Sequence, residues 1–397
     1  MGQIHLWKEE LVAGDGYTTA GTTIEYPNGK RQRLWYRVPS EYGNLITSSC
    51  DPFVIGTVFL AMNRGSELVV HGEASPSLLQ NLAEFQIAWN TWRPQRYSPI
   101  EIRAEVEREA VKTREGAVAT FSGGVDSCFT IFRHRTGRCG RCQRPIKAGL
   151  MVHGFDIPLS NSLAFTRAAH KSRMMLESLG LELIPMVTNF RELELDWEDV
   201  FAAGISSCLM LLQGGFNMGL IASSAAYNSL LIPYGSNPIT DPLLSSQAFP
   251  IISDGSGFNR LQKVKEVANW QEALSLLRVC WQGAEKDRNC GQCEKCIRTI
   301  LNFRVMGLGL PPCFEQDVTD KEILNLKGLK EAQITELEPI LETAKSANLP
   351  DSWVGALEQC IERNYHSAKL TQGKEDLKKL LSSYLENWRR STRSNQR

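Results

Sequence analysis

The sequence predicts an α/β protein built on a doubly wound parallel sheet, with an N-terminal α+β domain before it and a C-terminal helical extension after it. Three observations carry this. Strand and helix patterns alternate from about residue 115 to 300, which argues for parallel strands with helices on both faces. The first strand of that stretch leaves through "SGGVDS" straight into an apolar helix. The chain has 397 residues, too many for one ordinary core, so two or three domains are expected. The expected boundaries are 1–112, 113–305 and 306–397.

Taken in order, "TIEYPNGKRQRLWYRVP" reads as a hairpin, with Asn28-Gly29 suited to a type I′ turn. "DPFVIGTVFLAMNRG" reads as a helix, with Asp51 as N-cap and Pro52 at its first position. "SELVVHG" is a strand, "SPSLLQNLAEFQIAWNTW" a helix ending before Pro94, and "PIEIRAEVE" alternates as a strand. The expected sheet strands are "GAVATF", "AGLMVHGFDIP", "LELIPMVTNF", "MGLIASS" and "AFPIISDG". Helices lie between the first four: one through Arg135, "SLAFTRAAHKSRMMLESLG", and "WEDVFAAGISSCLMLLQGG". Beyond 300 the pattern is helical. "TDKE" at 319–322 fits a capping box, and "SWVGALEQCIERNYHSA" and "KEDLKKLLSSYLENWRR" are amphipathic.

Lys+Arg and Asp+Glu balance at 44 each, without the basic excess of a protein that wraps long nucleic acid. No run approaches the roughly 18 apolar residues of a membrane span. "MGQIHLWKEELV" places charges where a signal peptide needs an apolar core, and Leu6 stands where a myristoylation signal needs Ser or Thr. A cytoplasmic protein is expected, with its eleven cysteines mostly reduced, so that cysteine clusters point to metal or catalysis.

In "AVATFSGGVDSCFTIF" the glycines let backbone amides approach an anion, and the following helix aims its positive end at the same point. Ser122 and Ser127 can donate to phosphate oxygens. Asp126 cannot contact a phosphate directly and is expected to hold Mg²⁺ against one. No lysine follows the glycines, so the Walker pattern is absent. "SGGVDS" resembles the pyrophosphate loop of the PP-loop ATP pyrophosphatase superfamily. The resemblance implies an adenine nucleotide α-hydrolase-like fold and cleavage of ATP between its α- and β-phosphates. It implies that Phe121, Ser122, Gly123, Gly124, Val125, Asp126 and Ser127 bind the nucleotide, with Ser122, Asp126 and Ser127 at the chemistry. It also implies adenosine contacts near His153, Gly154, Phe155 and Asp156, although a satisfied core histidine is an equal reading of His153. The polar stretch 222–246, rich in proline, is the expected acceptor region, with Tyr234, Ser236, Asn237 and Asp241 as candidates. Arg260 and Lys263 are candidate phosphate cations or residues of a solvated helix face.

Cys280, Cys290, Cys293 and Cys296 follow a Cys-x₉-Cys-x₂-Cys-x₂-Cys pattern. Four thiolates and no open position describe a structural Zn²⁺ site, with an iron–sulfur cluster as competitor. Lys286, Arg288, Lys295 and Arg298 are placed to offset its charge. Cys139 and Cys142 form a further C-x-x-C in a basic loop, and a second metal there needs ligands from elsewhere or from a second chain. Cys128 reads as a nucleophile or, more simply, a buried thiol.

A pyrophosphate loop followed by this cysteine pattern resembles 7-cyano-7-deazaguanine synthases and their antiviral-defence paralogues, over residues 115 to about 305. The resemblance implies adenylation of a carboxylate such as 7-carboxy-7-deazaguanine, release of pyrophosphate, and amide or nitrile formation with ammonia or an amine. ATP, Mg²⁺ and Zn²⁺ are the implied cofactors. The extensions suggest a bulkier acceptor or a protein partner, and a homodimer and a nucleic-acid role stay open. A tRNA thiolase and a non-catalytic nucleotide-binding subunit are the alternatives.

Overall fold

The computed structural model describes residues 2–111 and 115–367. The expected helix at 374–390 lies outside them. Chain contacts divide the molecule into two compact units. The first runs to Cys290 and includes Pro311–Cys313; the second comprises Gly291–Leu310 and the chain from Phe314 onwards.

The first unit is organised by one sheet of eleven strands. Its early elements are β1 (Gln3–Lys8), β2 (Val12–Gly14), β3 (Tyr17–Glu25), β4 (Arg31–Pro39), α1 (Asp51–Arg64), β5 (Glu67–Ala74), α2 (Pro76–Trp92) and β6 (Ile102–Glu107). Then come β7 (Ala117–Thr120), α3 (Val125–Arg135), β8 (Ile146–His153), α4 (Ser162–Ser178), β9 (Glu182–Thr188), α5 (Trp197–Leu211), β10 (Met218–Ala222), β11 (Ile251–Asp254), α6 (Arg260–Val267) and α7 (Gln271–Leu276). The spatial order is β11-β10-β7-β8-β9-β4-β3-β1-β5-β6, with β2 on β3.

The five strands β7 to β11 are parallel throughout. The chain moves from β7 through β8 to β9 on one side, then returns to place β10 and β11 on the other. Strand order therefore reverses beside β7, which is where such sheets open a crevice at the strands' carboxyl ends. This α/β arrangement is compatible with a Rossmann-like fold.

Residues 3–107 contribute β1–β6 to this same sheet rather than a sheet of their own. The join is antiparallel, with Tyr36 opposite Thr188 and Arg37 opposite Val187. Side chains extend the ladder where β9 ends. Asn189 accepts from the Trp35 N–H (2.9 Å) and donates to the Arg33 carbonyl (2.8 Å), while the Thr188 hydroxyl donates to the Trp35 carbonyl (2.8 Å). These bonds satisfy backbone groups that a strand end would leave unpaired.

Two local expectations are corrected. The β3–β4 turn is not type I′, because Asn28 does not take the left-handed conformation; only Gly29 does, at φ +77°. Pro27 sets a right-handed first turn position. The Gly29 N–H closes onto the Tyr26 carbonyl (2.8 Å), giving a type I turn with a glycine bulge. At α1 the N-cap is Cys50, with Asp51 one position inside. The buried Asp51 carboxylate turns instead to Ser75, accepting from its N–H (2.8 Å) and hydroxyl (2.6 Å), which ties the start of α1 to the start of α2.

The second unit contains α8 (Glu294–Val305), α9 (Asp320–Asn325), α10 (Glu331–Ser346) and a further helical stretch at 352–367. The Thr319/Glu322 capping box opens α9 as expected. Ile323, Ile334, Leu337, Ile340, Leu357 and Cys360 are fully buried. No helix among the described residues is long and apolar enough to cross a membrane.

Candidate functional site

The turn from β7 into α3 lies at the carboxyl edge of the sheet, beside the strand-order reversal. Gly123 sits at φ +76°, a left-handed conformation that side chains resist. Gly124 is extended and caps α3. Its carbonyl accepts the Ser127 hydroxyl at 3.0 Å, and the Ser122 and Ser127 hydroxyl oxygens stand 3.4 Å apart. Phe121 and Val125 are buried beneath the turn, while Ser122 is exposed. The first-turn amides of α3 thus point past a pair of hydroxyls, the arrangement of an anion site.

Three cations, two from α6 and one from the segment after α7, converge here. Lys263, the fourth residue of α6, is 1% exposed. Its Nζ lies 3.2 Å from Asp126 Oδ1 and also donates to the Ser223 carbonyl at the end of β10. Arg260, the first residue of α6, pairs with Asp126 Oδ2 at 2.9 Å. A capping box between Asn259 and Gln262 fixes where α6 begins. Lys263 is therefore a buried ion-pair partner rather than part of a solvated face. Asp126 is engaged by both cations.

The third cation, Arg278, lies outside every motif the sequence offers. Its backbone N–H donates to the Gly123 carbonyl (2.8 Å). Its guanidinium bonds the Ser122 carbonyl (3.2 Å), Asp156 (2.7 Å) and the Lys286 carbonyl (3.2 Å). The one signal that could have marked it is its setting: an arginine inside the apolar run "LLRVC" needs a buried partner.

The other expected residues divide. Asp156 reaches the turn through Arg278. Phe155 packs on Trp197 (ring centroids 5.0 Å apart) and Phe190 (6.1 Å). The Gly154 N–H donates to the Ile157 carbonyl (3.0 Å). His153 is 5% exposed, its Nε2 bonds the Pro158 carbonyl (2.9 Å), and its ring stacks on Phe165. Its polar edge is spent on the backbone.

In the acceptor stretch Tyr234 is 39% exposed and meets Phe201 edge-on. Asp241 is fully buried and Asn237 nearly so. Asp241 accepts from the Ser236 hydroxyl (2.8 Å) and the Asn237 N–H (3.0 Å), and the Asn237 amide donates to Tyr234 and Thr240. Ser236, Asn237 and Asp241 brace the segment from within. Burial raises the Asp241 carboxyl to about 7.

The four cysteines come together. The sulfurs of Cys280, Cys290, Cys293 and Cys296 all lie within 4.8 Å of one another, a set that could hold a metal such as zinc. Asn289 shapes the loop, accepting from the Val279 and Cys280 N–H groups and donating to the Leu277 and Cys313 carbonyls. Cys293 caps α8 and Cys296 lies in its first turn. Arg298 pairs with Glu294 (2.7 Å) and Glu336 (2.8 Å). Arg288 pairs with Glu285 (2.7 Å), and Lys286 donates to the Trp281 carbonyl (2.8 Å). Cys128 is buried, which pushes its thiol far up and suits a core residue rather than a nucleophile.

No family model matches this chain, nor does any curated protein or solved structure.

Proposed function

We propose that the chain is an ATP-dependent enzyme of the PP-loop type that adenylates a carboxylate and passes it to ammonia or an amine, similar to 7-cyano-7-deazaguanine synthase. One observation supports this most: Lys263, Arg260 and Arg278 converge on a Gly-Gly turn at the reversal point of a parallel sheet. In this reading the pyrophosphate of ATP lies against the Ser122 and Ser127 hydroxyls and the first-turn amides of α3. A substrate carboxylate oxygen attacks the α-phosphate, the bond to the β-phosphate breaks, and pyrophosphate leaves onto the turn. An amine then displaces AMP.

The protein's contribution is positioning and charge compensation. Two carboxylates, Asp126 and Asp156, face the three cations, so the pocket keeps a net positive charge for the departing pyrophosphate. Asp126 acts as a positioning residue that holds Lys263 and Arg260 at the turn. The cysteine cluster, loaded with zinc, would pin the segment that presents Arg278. The adenine nucleotide α-hydrolase-like fold belongs to the same reading.

The test is mass spectrometry of nucleotides and acceptor after incubation with ATP, 7-carboxy-7-deazaguanine and ammonia. AMP, pyrophosphate and an acceptor of altered mass are expected, and a Lys263→Met variant should lose them. Intact ATP binding without AMP or pyrophosphate would overturn the assignment.

A further inference from the structure

Between α3 and β8 the chain makes a short turn, Gly140–Cys142, that the proposed reaction does not use. It carries Cys139 and Cys142, the latter exposed and the former partly so. The Cys142 N–H closes onto the Cys139 carbonyl (3.0 Å), and Gly140 takes φ +54°. Gln143 locks the turn from both sides. Its side-chain oxygen accepts the Cys139 N–H (3.3 Å), and its amide donates to the His134 carbonyl. A C-x-x-C spacing can supply two of the four thiolates of a tetrahedral site.

The other half is absent from the chain's own described residues. Their one group of three or more metal-capable side chains is the Cys280 cluster. Charge around the turn favours an anionic centre. Arg138 is paired with Glu266 (2.6 Å), but Arg141 and Arg144 have no carboxylate partner among the described residues. Two such turns facing one another would bring four arginines to one place, which is repulsive alone. A Zn²⁺ bound by four thiolates carries two negative charges, and the four arginines compensate it.

We propose that Cys139 and Cys142 bind zinc jointly with the same two residues of a second copy of this chain, so that one ion links two copies. The four thiols release four protons to solvent, and no oxidation takes place. The arrangement is isologous, each copy giving the same pair, which closes a dimer rather than an open filament. This zinc is separate from the one the Cys280 cluster could hold and does not depend on the catalytic reading.

The full chain, without a histidine tag and kept in a phosphine reductant, is analysed for zinc content and for mass by light scattering. A cluster ion per chain plus one ion shared by two chains predicts about 1.5 zinc per chain in a dimer that chelation weakens. Cys139→Ser/Cys142→Ser, at a partly exposed and an exposed position, should fold normally and hold about 0.5 zinc per chain less, with a mass that no longer responds to zinc. Equal zinc content in wild type and variant would overturn the proposal. So would a full equivalent lost on substitution with no change in mass, which places a complete second site within one chain. A covalent dimer that survives chelation but not reductant would replace it with a disulfide.

Discussion

Asp241→Asn tests how burial of one carboxyl controls the segment bordering the candidate site. The folded chain raises this carboxyl from 3.8 to about 7. Its surroundings therefore favour the neutral form. Below about pH 4 the group is protonated whether the segment is closed or open, and its contribution to closure is complete. As pH rises toward 7 the open form releases a proton that the closed form keeps. Closure then weakens by about 1.4 kcal/mol per pH unit. Across the window from about pH 4 to about pH 7 this gives an upper figure of about 4 kcal/mol lost, and a plateau above. Asparagine does not titrate, and its side-chain oxygen can still accept from the Ser236 hydroxyl or the Asn237 N–H. Hydrogen exchange of the Asn237, Ile239 and Thr240 amides reads the opening free energy of this segment directly, after correction for the pH dependence of intrinsic exchange. The wild-type opening energy should fall with pH across this window while that of the variant stays flat. Parallel wild-type and variant profiles would refute the reasoning, because another group would then carry the pH dependence.

Other outcomes follow from the same geometry. Lys263→Met should lower ATP–pyrophosphate exchange by about 10²–10³-fold, the usual effect of removing one charge-stabilising donor. Lys263→Arg should not restore it, since a planar guanidinium cannot replace a compact ammonium that is 1% exposed and bonded to Asp126 and Ser223. Gly123→Ala should destabilise the first unit by about 1–2 kcal/mol in thermal or denaturant unfolding, because its φ is +76°; unchanged stability would place the strain elsewhere. Cys296→Ser should remove about one zinc per chain by elemental analysis and raise hydrogen exchange across 280–296. Retained zinc would show that the cluster does not need its fourth thiol.

Much of the fold was legible because it is written in short-range patterns. The alternation of strand and helix from β7 to β11, the Thr319/Glu322 box and the Cys280–Cys296 spacing all depend on residues near one another in the sequence. The Gly-Gly turn was legible for the same reason: Gly123 and the Gly124 cap are dictated locally. Even local reading failed where two signals competed. Asn28-Gly29 suggested one turn, but Pro27 constrained the backbone first.

Tertiary structure alone decided the rest. Lys263 stands 137 residues after Asp126, and nothing in "RLQKVKEV" marks which face of α6 is buried against the turn. Arg278 meets Ser122 across 156 residues because the segment after α7 returns to β7. The β4–β9 join depends on Asn189 and Thr188 finding strand β4, so the sequence break near 112 says nothing about whether the sheet continues. Asn237 and Asp241 looked available in a polar stretch, yet packing buries them and their polar groups satisfy each other. By itself the sequence determined the alternation of strand and helix from β7 to β11, where a helix starts on two glycines, and which four cysteines share a spacing. The fold determined which charges meet and which polar groups are spent, because burial and long-range pairing depend on how the chain packs on itself rather than on its neighbours in order.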